Sequence, residues 1–277
     1  MEYKIVADSS CDLNSELEKK LEVSLVPFKI DIDNHSFIDD KDIDVQRLIK
    51  EMNASPNPIK TSCPSPGDFV KEYMGSDNVF VVTISEQLSG TYNSAILAKD
   101  MVREEHPDKF IHIFNSKSAS VGETLVAVKI KECIEEKLSN LQIVEKVEAF
   151  IDDMKTYFVS ENLDNLIKNG RISKTKGLLI NALNIKPVMC ATPDGNIGLV
   201  DKARGSNKAF KKLVEIIGET GIKFEERIVA ISHANALQKA LDLKENLKKY
   251  NFKDIIIVET KGLSTGYVND GGVIVAF

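Results

Sequence analysis

Residues 3–12 read YKIVADSSCD, an apolar run rich in β-branched side chains that ends in acids and hydroxyls. Three further runs have the same character and lie between polar or helix-periodic stretches: Val23–Ile30, Val79–Ile84 and Phe110–Phe114. This alternation is typical of βα units, in which strands buried on both faces form a mainly parallel sheet. Helices predicted over Ser89–Glu105 and Ala119–Lys137 cover that sheet, so we expect a three-layer α/β/α lobe.

The pattern changes after a predicted helix at Asn140–Met154. Lys186–Ala191 and Ile197–Asp201 flank Pro193-Asp194-Gly195-Asn196, which is turn chemistry for a β-hairpin. The remaining predicted strands are Arg227–Ser232, Asp254–Thr260 and Val273–Phe277, and the helices are Lys176–Leu183, Asn207–Ile217 and Ala236–Tyr250. We therefore predict an α/β protein of two lobes, residues 1–155 and a two-layer lobe with a mixed sheet at 156–277, with a ligand cleft between them.

The composition excludes several classes of protein. The 277 residues carry 36 Lys and Arg against 42 Asp and Glu, and the net charge of −6 disfavours nonspecific binding to nucleic acid or anionic membranes. No apolar run approaches the ~18 residues of a membrane span, and the N-terminus lacks the apolar region of a secretory leader. The four cysteines form no Cys-x-x-Cys pair. We expect reduced thiols and a cytoplasmic protein without stable membrane insertion.

Hydroxyl-bearing segments follow the predicted strands, where open α/β sheets bind ligands. In Thr61-Ser62-Cys63-Pro64-Ser65-Pro66-Gly67-Asp68, Ser65 and Asp68 suit a helix cap, which leaves Thr61 and Ser62 to face a ligand or to satisfy their own loop. Ser89-Gly90-Thr91 stands where a helix begins, so its free N–H groups favour a carboxylate or phosphate. The alternative is that Ser89 only caps its own helix.

Other chemistries lack a motif. The chain has neither Gly-x-Gly-x-x-Gly nor Gly-Lys-Ser/Thr, and its four histidines form no metal-binding spacing, so we predict no nucleotide chemistry by this chain alone, no cofactor and no metal site. The acidic run between Asp31 and Asp44 lacks the glycine and glutamate of an EF-hand, and we interpret it as a solvated loop that leads into a helix. His233 follows a strand and is either a base or part of a loop.

The ordered set of motifs resembles the DegV family along essentially the whole chain. The segments that carry the resemblance are Asp8-Ser9-Ser10-Cys11-Asp12-Leu13, Thr61-Ser62-Cys63-Pro64-Ser65-Pro66, Leu88-Ser89-Gly90-Thr91-Tyr92-Asn93-Ser94-Ala95, Asn169-Gly170-Arg171-Ile172-Ser173, Leu183-Asn184-Ile185-Lys186-Pro187-Val188 and Lys202-Ala203-Arg204-Gly205. The resemblance implies a fatty acid such as palmitate buried between two lobes. It also implies that the protein is not itself an enzyme but presents the bound carboxylate to a separate ATP-dependent fatty-acid kinase subunit.

Residue roles follow from the same resemblance. Thr61 and Ser89 are the expected carboxylate ligands, with Ser62 and Thr91 nearby. The kinase partner is expected to contact Arg171, Lys202 and Arg204. Because Arg171 follows Gly170, a helix stop, we expect its side chain to project from a solvent-facing turn.

One segment departs from the family pattern. Many members carry His-Thr-Gly-Pro-Gly before the last strand, whereas this chain has Tyr267-Val268-Asn269-Asp270-Gly271-Gly272. A phenol at Tyr267 can donate a hydrogen bond near the carboxylate but cannot accept a proton as imidazole does. The alternative function, from a different class, is a stand-alone enzyme acting on a small acid or phosphate through Ser89 or His233.

Overall fold

The computed structural model describes residues 3–173 and 185–277. Four parallel strands form the sheet of the first lobe: β1 (Tyr3–Asp8), β2 (Ser24–Val26), β6 (Asn78–Thr83) and β7 (Phe110–Asn115). Their order across the sheet is β2-β1-β6-β7, with each neighbouring pair parallel. The predicted mainly parallel sheet is confirmed.

Helices cover both faces of this sheet because side chains alternate along its strands. Val79 and Val81 of β6 pack with α3 (Pro66–Tyr73) and α4 (Thr91–Glu105). Phe80 and Val82 point to the other face, where the helices are α1 (Ser15–Leu21), α5 (Val121–Glu135) and α6 (Asn140–Asp153). Ser65 and Asp68 cap α3 as predicted, since the Asp68 carboxylate accepts from the Ser65 N–H at 3.2 Å.

The second lobe contains a six-stranded mixed sheet. Its strands are β8 (Thr156–Val159), β9 (Ile185–Ala191), β10 (Ile197–Arg204), β11 (Ile228–His233), β12 (Asp254–Glu259) and β13 (Val273–Ala276). They lie in the order β10-β9-β8-β13-β11-β12, with only β11 and β12 parallel. The predicted mixed sheet and its hairpin are therefore confirmed.

The helices of the second lobe are α7 (Asp164–Lys168), α8 (Ser206–Thr220), α9 (Leu237–Leu247) and α10 (Gly262–Val268), with 3-10 turns at Phe224–Glu226 and Lys248–Tyr250. The sequence did not predict α10. The predicted helix Lys176–Leu183 lies outside the described residues. Within residues 3–173 and 185–277, we find no helix that combines the length and the apolar character needed to cross a membrane.

A third, antiparallel sheet was not predicted. It contains β3 (Lys29–Ile32), β4 (His35–Ile38) and β5 (Lys60–Ser62) in the order β4-β3-β5, and α2 (Val45–Ala54) lies between β4 and β5 in the chain. The single strand predicted at Val23–Ile30 is wrong, because β2 and β3 belong to different sheets and Pro27 lies between them. Proline has no N–H to continue a ladder, so the run divides there.

Helix α5 joins the two lobes into one core. Ten of its fifteen residues are buried, and their apolar side chains cluster with Ala7 and Phe80 of the first sheet and with Ala230 and Ile274 of the second. A helix that is buried around most of its circumference lies between packed layers rather than at a surface. The two sheets are therefore held on opposite sides of one helix.

Candidate functional site

A cavity of about 100 Å³ lies between the lobes. Its wall is mainly apolar. The first lobe contributes Ile84, Leu88 and Ala119, and the second contributes Phe158, Leu166, Ile197, Leu263, Val268 and Ile274. The cavity is therefore suited to an apolar ligand that contacts both lobes.

Helix α10 supplies one side of this wall. Leu263, Tyr267 and Val268 line the cavity, and the spacing of four residues places Leu263 and Tyr267 on one face of the helix. Tyr267 is half-buried and packs against the buried cluster of Phe28, Ile84 and Leu263. A tyrosine in this setting keeps its ring among apolar groups while its hydroxyl reaches a polar partner.

That polar partner is Thr61. The Thr61 hydroxyl lies 2.8 Å from the Tyr267 hydroxyl, although 206 residues separate the two in the chain. Strand β5 directs Thr61 inward because Thr61 pairs with the buried Ile30 of β3. Two of the residues implied by the resemblance, one from each lobe, are thus brought together.

Ser89 and Thr91 lie at the start of α4. The Ser89 hydroxyl is 2.8 Å from that of Thr91, and Thr91 is fully buried, so Thr91 holds the half-buried Ser89 side chain in place. Gly90 occupies the N-cap and has no side chain to satisfy the helix N–H groups. A Cβ atom at Gly90 would lie 3.7 Å from the Cys63 sulfur, so the Thr61 segment runs beside this helix start.

Arg171 faces inward, so the expectation of a solvent-facing side chain is wrong. Its Nε donates to the carbonyl of Leu88 at 3.0 Å, and its guanidinium carbon lies 5.6 Å from the centre of the Tyr267 ring. Arg171 also lines the cavity. The Gly170 stop does end α7, but the chain then turns toward the first lobe. We refer to Thr61, Ser89, Thr91, Arg171 and Tyr267 as the hydroxyl–arginine cluster.

The remaining predicted residues are not brought to this cluster. Ser62 is exposed and lies on the opposite face of β5 from Thr61, in register with Lys29. Lys202 and Arg204 are exposed on the edge strand β10, roughly 16–23 Å along the strand from the cavity-lining Ile197. A direct ligand contact is therefore unavailable to these three side chains in this arrangement.

His233 serves the local structure of its loop. Its ring is buried, and Nδ1 accepts the N–H of Ala236 at 3.3 Å. Burial lowers the pKa of this imidazole, with Glu259 opposing the shift. Among the described residues, His233 is not part of the cavity wall. The geometry therefore favours the loop interpretation of His233 over a catalytic base.

Sequence reasoning missed a second polar group, which lies behind residues of the cavity wall and which we call the aspartate cluster: Asp8, Asp12 and Asp39. All three are at most 1% exposed. Asp8 accepts from the N–H groups of Ser10 at 2.9 Å and Ile84 at 2.8 Å, and Asp12 accepts from that of Lys261 at 2.7 Å. The interpretation of Asp39 as part of a solvated loop is wrong, because Asp39 is buried and its carboxylate accepts hydrogen bonds inside the protein.

Burial raises the pKa of Asp8 and Asp12 to about 7 and that of Asp39 to about 6, although hydrogen bonds to each carboxylate oppose the shift. The fully buried Glu123 lies beside them, and burial together with the Asp8 charge raises its pKa strongly. No pattern of spacing marks these acids as buried. Only the three-dimensional arrangement identifies them.

A hairpin tip closes the cavity on the side of the second lobe. Gly195, at the β9–β10 turn, has a φ of +83°, and its carbonyl accepts from the Ser85 hydroxyl at 2.8 Å. A Cβ atom at position 195 would lie 2.3 Å from the Ser85 oxygen, so only glycine allows this approach. The turn that the sequence predicts therefore also contacts the first lobe, through the hydrogen bond from Ser85 to Gly195.

The fold and the site define a class: two-lobed α/β proteins with an apolar interlobe cavity that borders a cluster of hydroxyls and one arginine. The sequence profile of the DegV family matches residues 2–277. A DegV domain-containing protein of Streptococcus pyogenes is 37% identical over 281 residues, covering 100% of this chain and 99% of the relative. The chain belongs to the DegV family.

Solved structures extend the comparison. A DegV-family protein from Ruminococcus gnavus, solved with vaccenic acid, is 40% identical, with 99% of each chain covered and a TM-score of 0.94. The Fatty Acid Kinase (Fak) B3 protein of Streptococcus pneumoniae, loaded with linoleic acid, is 33% identical. It covers 100% of this chain and 99% of its own, with a TM-score of 0.92. Both similar proteins hold long-chain fatty acids.

Proposed function

We propose that this protein binds a long-chain fatty acid, such as palmitate, between a lobe of residues 1–155 and a lobe of residues 156–277. Thr61 and Ser89 hold the carboxylate, and Tyr267 and Arg171 complete its surroundings. The observation that carries the proposal is one arrangement, an apolar cavity whose wall includes Tyr267 and Arg171, with Thr61 bonded to Tyr267. That arrangement matches a molecule with an apolar tail and an anionic end.

The tail supplies most of the affinity. Transferring about 14 methylenes from water at ~0.8 kcal/mol each is worth on the order of 11 kcal/mol before the costs of immobilisation. Leu166, Ile197 and Ile274 are among the side chains that replace water around the tail. The apolar wall offers no directional contact, so it fixes neither the direction of the chain nor the position of its head group.

The head group fixes orientation. Arg171 is a permanent cation, and its Nε and Nη1 are held by the carbonyls of Leu88 and Asn169 at 3.0 and 2.9 Å. The charge therefore stays near the Tyr267 ring. The start of α4 adds the positive end of a helix dipole beside Ser89. Hydrogen bonds to a charged group are worth about 1.5–3 kcal/mol each, much of which offsets desolvation of the carboxylate.

We further propose that the protein is not an enzyme by itself but presents the carboxylate to a separate ATP-dependent kinase subunit. Its likeness to the Fak B3 protein over the whole chain supports this role. Lys202 and Arg204 are exposed on β10, where such a partner would contact them, whereas Arg171 contacts it only if the half-buried guanidinium becomes accessible. The protein supplies no cofactor of its own in this scheme.

Native mass spectrometry tests the binding proposal. Freshly purified protein should carry an added mass of one fatty acid, and lipid-free protein should regain one equivalent of palmitate. Thr61→Val should retain palmitate more weakly, by about 1–3 kcal/mol, without losing it altogether. Thr220→Val is the matched control, because it breaks another Thr–Tyr contact, the 3.0 Å bond from the Tyr157 hydroxyl, away from the cavity.

Two outcomes would contradict the proposal. If no acyl mass is found and palmitate does not bind, the fatty-acid function is wrong. If a small acid or phosphate is found instead, or if the purified chain alone forms product from one, the stand-alone enzyme is the better description.

A further inference from the structure

Asp39 joins three parts of the molecule that are distant in sequence. Its Oδ1 accepts the N–H of Gly262 at 2.7 Å, and its Oδ2 accepts the N–H of Leu263 at 2.9 Å and the hydroxyl of Ser9 at 2.8 Å. Asp39 follows β4 of the small antiparallel sheet, whereas Gly262 and Leu263 begin α10. The carboxylate therefore caps a helix of the second lobe from the first.

The residue at the helix start is fitted to this cap. A Cβ atom at Gly262 would lie 2.6 Å from Asp39 Oδ1, 2.4 Å from Ile43 Cδ1 and 2.9 Å from Ile30 Cδ1. Those distances are shorter than van der Waals contacts permit, so any larger residue would push the helix off the carboxylate. Glycine at position 262 therefore allows the Asp39 carboxylate to reach the start of α10.

The capped helix carries Tyr267. Helix α10 has only seven residues, so Tyr267 lies about one and a half turns from Gly262. Most of its other residues are buried, and the helix has no long body to absorb a change at its start. A shift at the N-terminus is therefore transmitted to the Tyr267 hydroxyl and to its 2.8 Å contact with Thr61.

We propose that Asp39 is a positioning residue for the head-group end of the cavity: by capping α10 it sets the position of the Tyr267 hydroxyl against Thr61. The proposal rests on the fatty-acid function proposed above but concerns a residue that does not touch the ligand. Asp39 is not among the residues that line the cavity in the described part of the chain.

A carboxylate is required because it accepts all three hydrogen bonds. An asparagine at 39 has one acceptor oxygen, and its NH2 group would face either the Gly262 N–H or the Leu263 N–H and Ser9 hydroxyl. The charged groups around Asp39 include Asp8 and Asp12 of the first lobe and Lys261, which precedes α10. Asp39→Asn therefore keeps the volume of the side chain while removing part of the cap.

The first experiment uses tyrosine resonances in protein freed of lipid. The chain has six tyrosines, so ring-labelled protein gives a resolvable NMR spectrum, and Tyr267→Phe assigns one signal by its loss. Asp39→Asn should shift or broaden the Tyr267 signal and leave Tyr157 and Tyr250 unchanged. Ser139→Ala is the control, since it removes the capping box of α6 and should not move the Tyr267 signal.

The second experiment is a double-mutant cycle on palmitate release, followed by stopped-flow transfer to vesicles. Asp39→Asn should speed release about threefold, equivalent to about 0.7 kcal/mol. In a Tyr267→Phe background, the same change should have almost no further effect, because residues that act through one another are not additive. Gly262→Ala should reproduce the Asp39→Asn effect without altering the carboxylate.

The two arms separate the inference from the function on which it rests. An unchanged Tyr267 signal in Asp39→Asn, or a full threefold effect retained in the Tyr267→Phe background, would overturn the positioning role. A shifted Tyr267 signal in a protein that never binds palmitate would support the positioning role and overturn only the fatty-acid proposal. If Asp39→Asn fails to fold, Gly262→Ala and the milder Ser9→Ala provide the same comparison.

Discussion

The molecule has two polar groups near the same cavity, and they differ in their hydrogen-bond partners. In the aspartate cluster, Asp8, Asp12 and Asp39 are fully buried and direct their oxygens to backbone N–H groups, among them that of the wall residue Ile84. In the hydroxyl–arginine cluster, Thr61, Ser89, Arg171 and Tyr267 are only half-buried and bond mainly to one another or to carbonyls. The first cluster holds the walls in place, while the second retains hydrogen-bonding capacity for a ligand.

The two clusters therefore contribute mainly to different properties, the first to the stability of the fold and the second to ligand binding. Removing a buried acceptor leaves N–H groups without a hydrogen-bond partner where water cannot reach them. Removing a half-buried hydroxyl lets water take its place. Mutations in the aspartate cluster should therefore be seen mainly in unfolding. Mutations in the hydroxyl–arginine cluster should be seen mainly in fatty-acid binding. The predictions that follow are ordered by the size of the expected effect.

The largest effect is expected for Asp8→Ala. The N–H groups of Ser10 and Ile84 would lose their acceptor inside the protein, at a combined cost of about 3 kcal/mol in the free energy of unfolding. Thr61→Ala should cost less than about 1 kcal/mol. Urea unfolding of the lipid-free variants measures both, and equal losses would remove the distinction between the clusters.

The next effect is a pH dependence to which the aspartate cluster should contribute. Burial raises the pKa of Asp12 to about 7, above its ordinary value of 3.8, so the folded state binds the proton more tightly than the unfolded state. The stability from this group is fully present below about pH 4 and is lost as pH rises through 7, by about 2 kcal/mol between pH 5 and 7. Asp12→Asn should flatten that slope, and an unchanged slope would contradict the assignment to Asp12.

Arg171 tests the second cluster. Arg171→Ala removes the guanidinium beside Tyr267 and should weaken palmitate binding about tenfold, or about 1.4 kcal/mol. The matched change Arg204→Ala should leave palmitate affinity intact and reduce acyl phosphate formation with a kinase subunit. Isothermal titration and a reconstituted two-component assay make the two measurements. If Arg204→Ala weakens palmitate binding and Arg171→Ala reduces only acyl phosphate formation, the roles assigned to the two arginines are reversed.

The smallest effect is expected for Tyr267→Phe, which keeps the ring and removes only the hydroxyl that meets Thr61. Palmitate affinity should fall about threefold, since one neutral hydrogen bond contributes roughly 0.5–1.5 kcal/mol. The loss of partner-dependent phosphorylation should be larger because a misplaced reacting group lowers the rate steeply. Competition with a fluorescent fatty acid gives the affinity. An affinity loss as large as that of Arg171→Ala would mean that the ring position had changed.

The sequence predicted the regular parts of the fold because its apolar periods are local. The helix predicted at Ser89–Glu105 is observed at Thr91–Glu105, and the strand predicted at Phe110–Phe114 is observed at Phe110–Asn115. The short strands β3 to β5 have three or four residues each, too few to establish a period. Pro27 was the one available sign that Val23–Ile30 divides.

The site could be predicted only where the family resemblance named its residues. Nothing local connects Thr61 with Tyr267, because their contact depends on how two sheets and α10 pack. Arg171 looked exposed because Gly170 ends a helix, but a helix stop fixes where the chain turns and not which way it turns. Asp39 looked solvated because it lies among other aspartates, and its burial depends on the distant backbone of Gly262 and Leu263.

A crystal structure of the protein loaded with palmitate tests the central claim most directly. We predict continuous density between the lobes, with the carboxylate within hydrogen-bonding distance of Thr61 and Ser89, Arg171 and Tyr267 beside it, and the tail along Phe158, Ile197 and Ile274. The aspartate cluster should make no contact with the ligand. A carboxylate placed against Ser10, Ser118 and Thr156 at the other polar part of the cavity wall, or a ligand bound outside the cavity, would contradict the account.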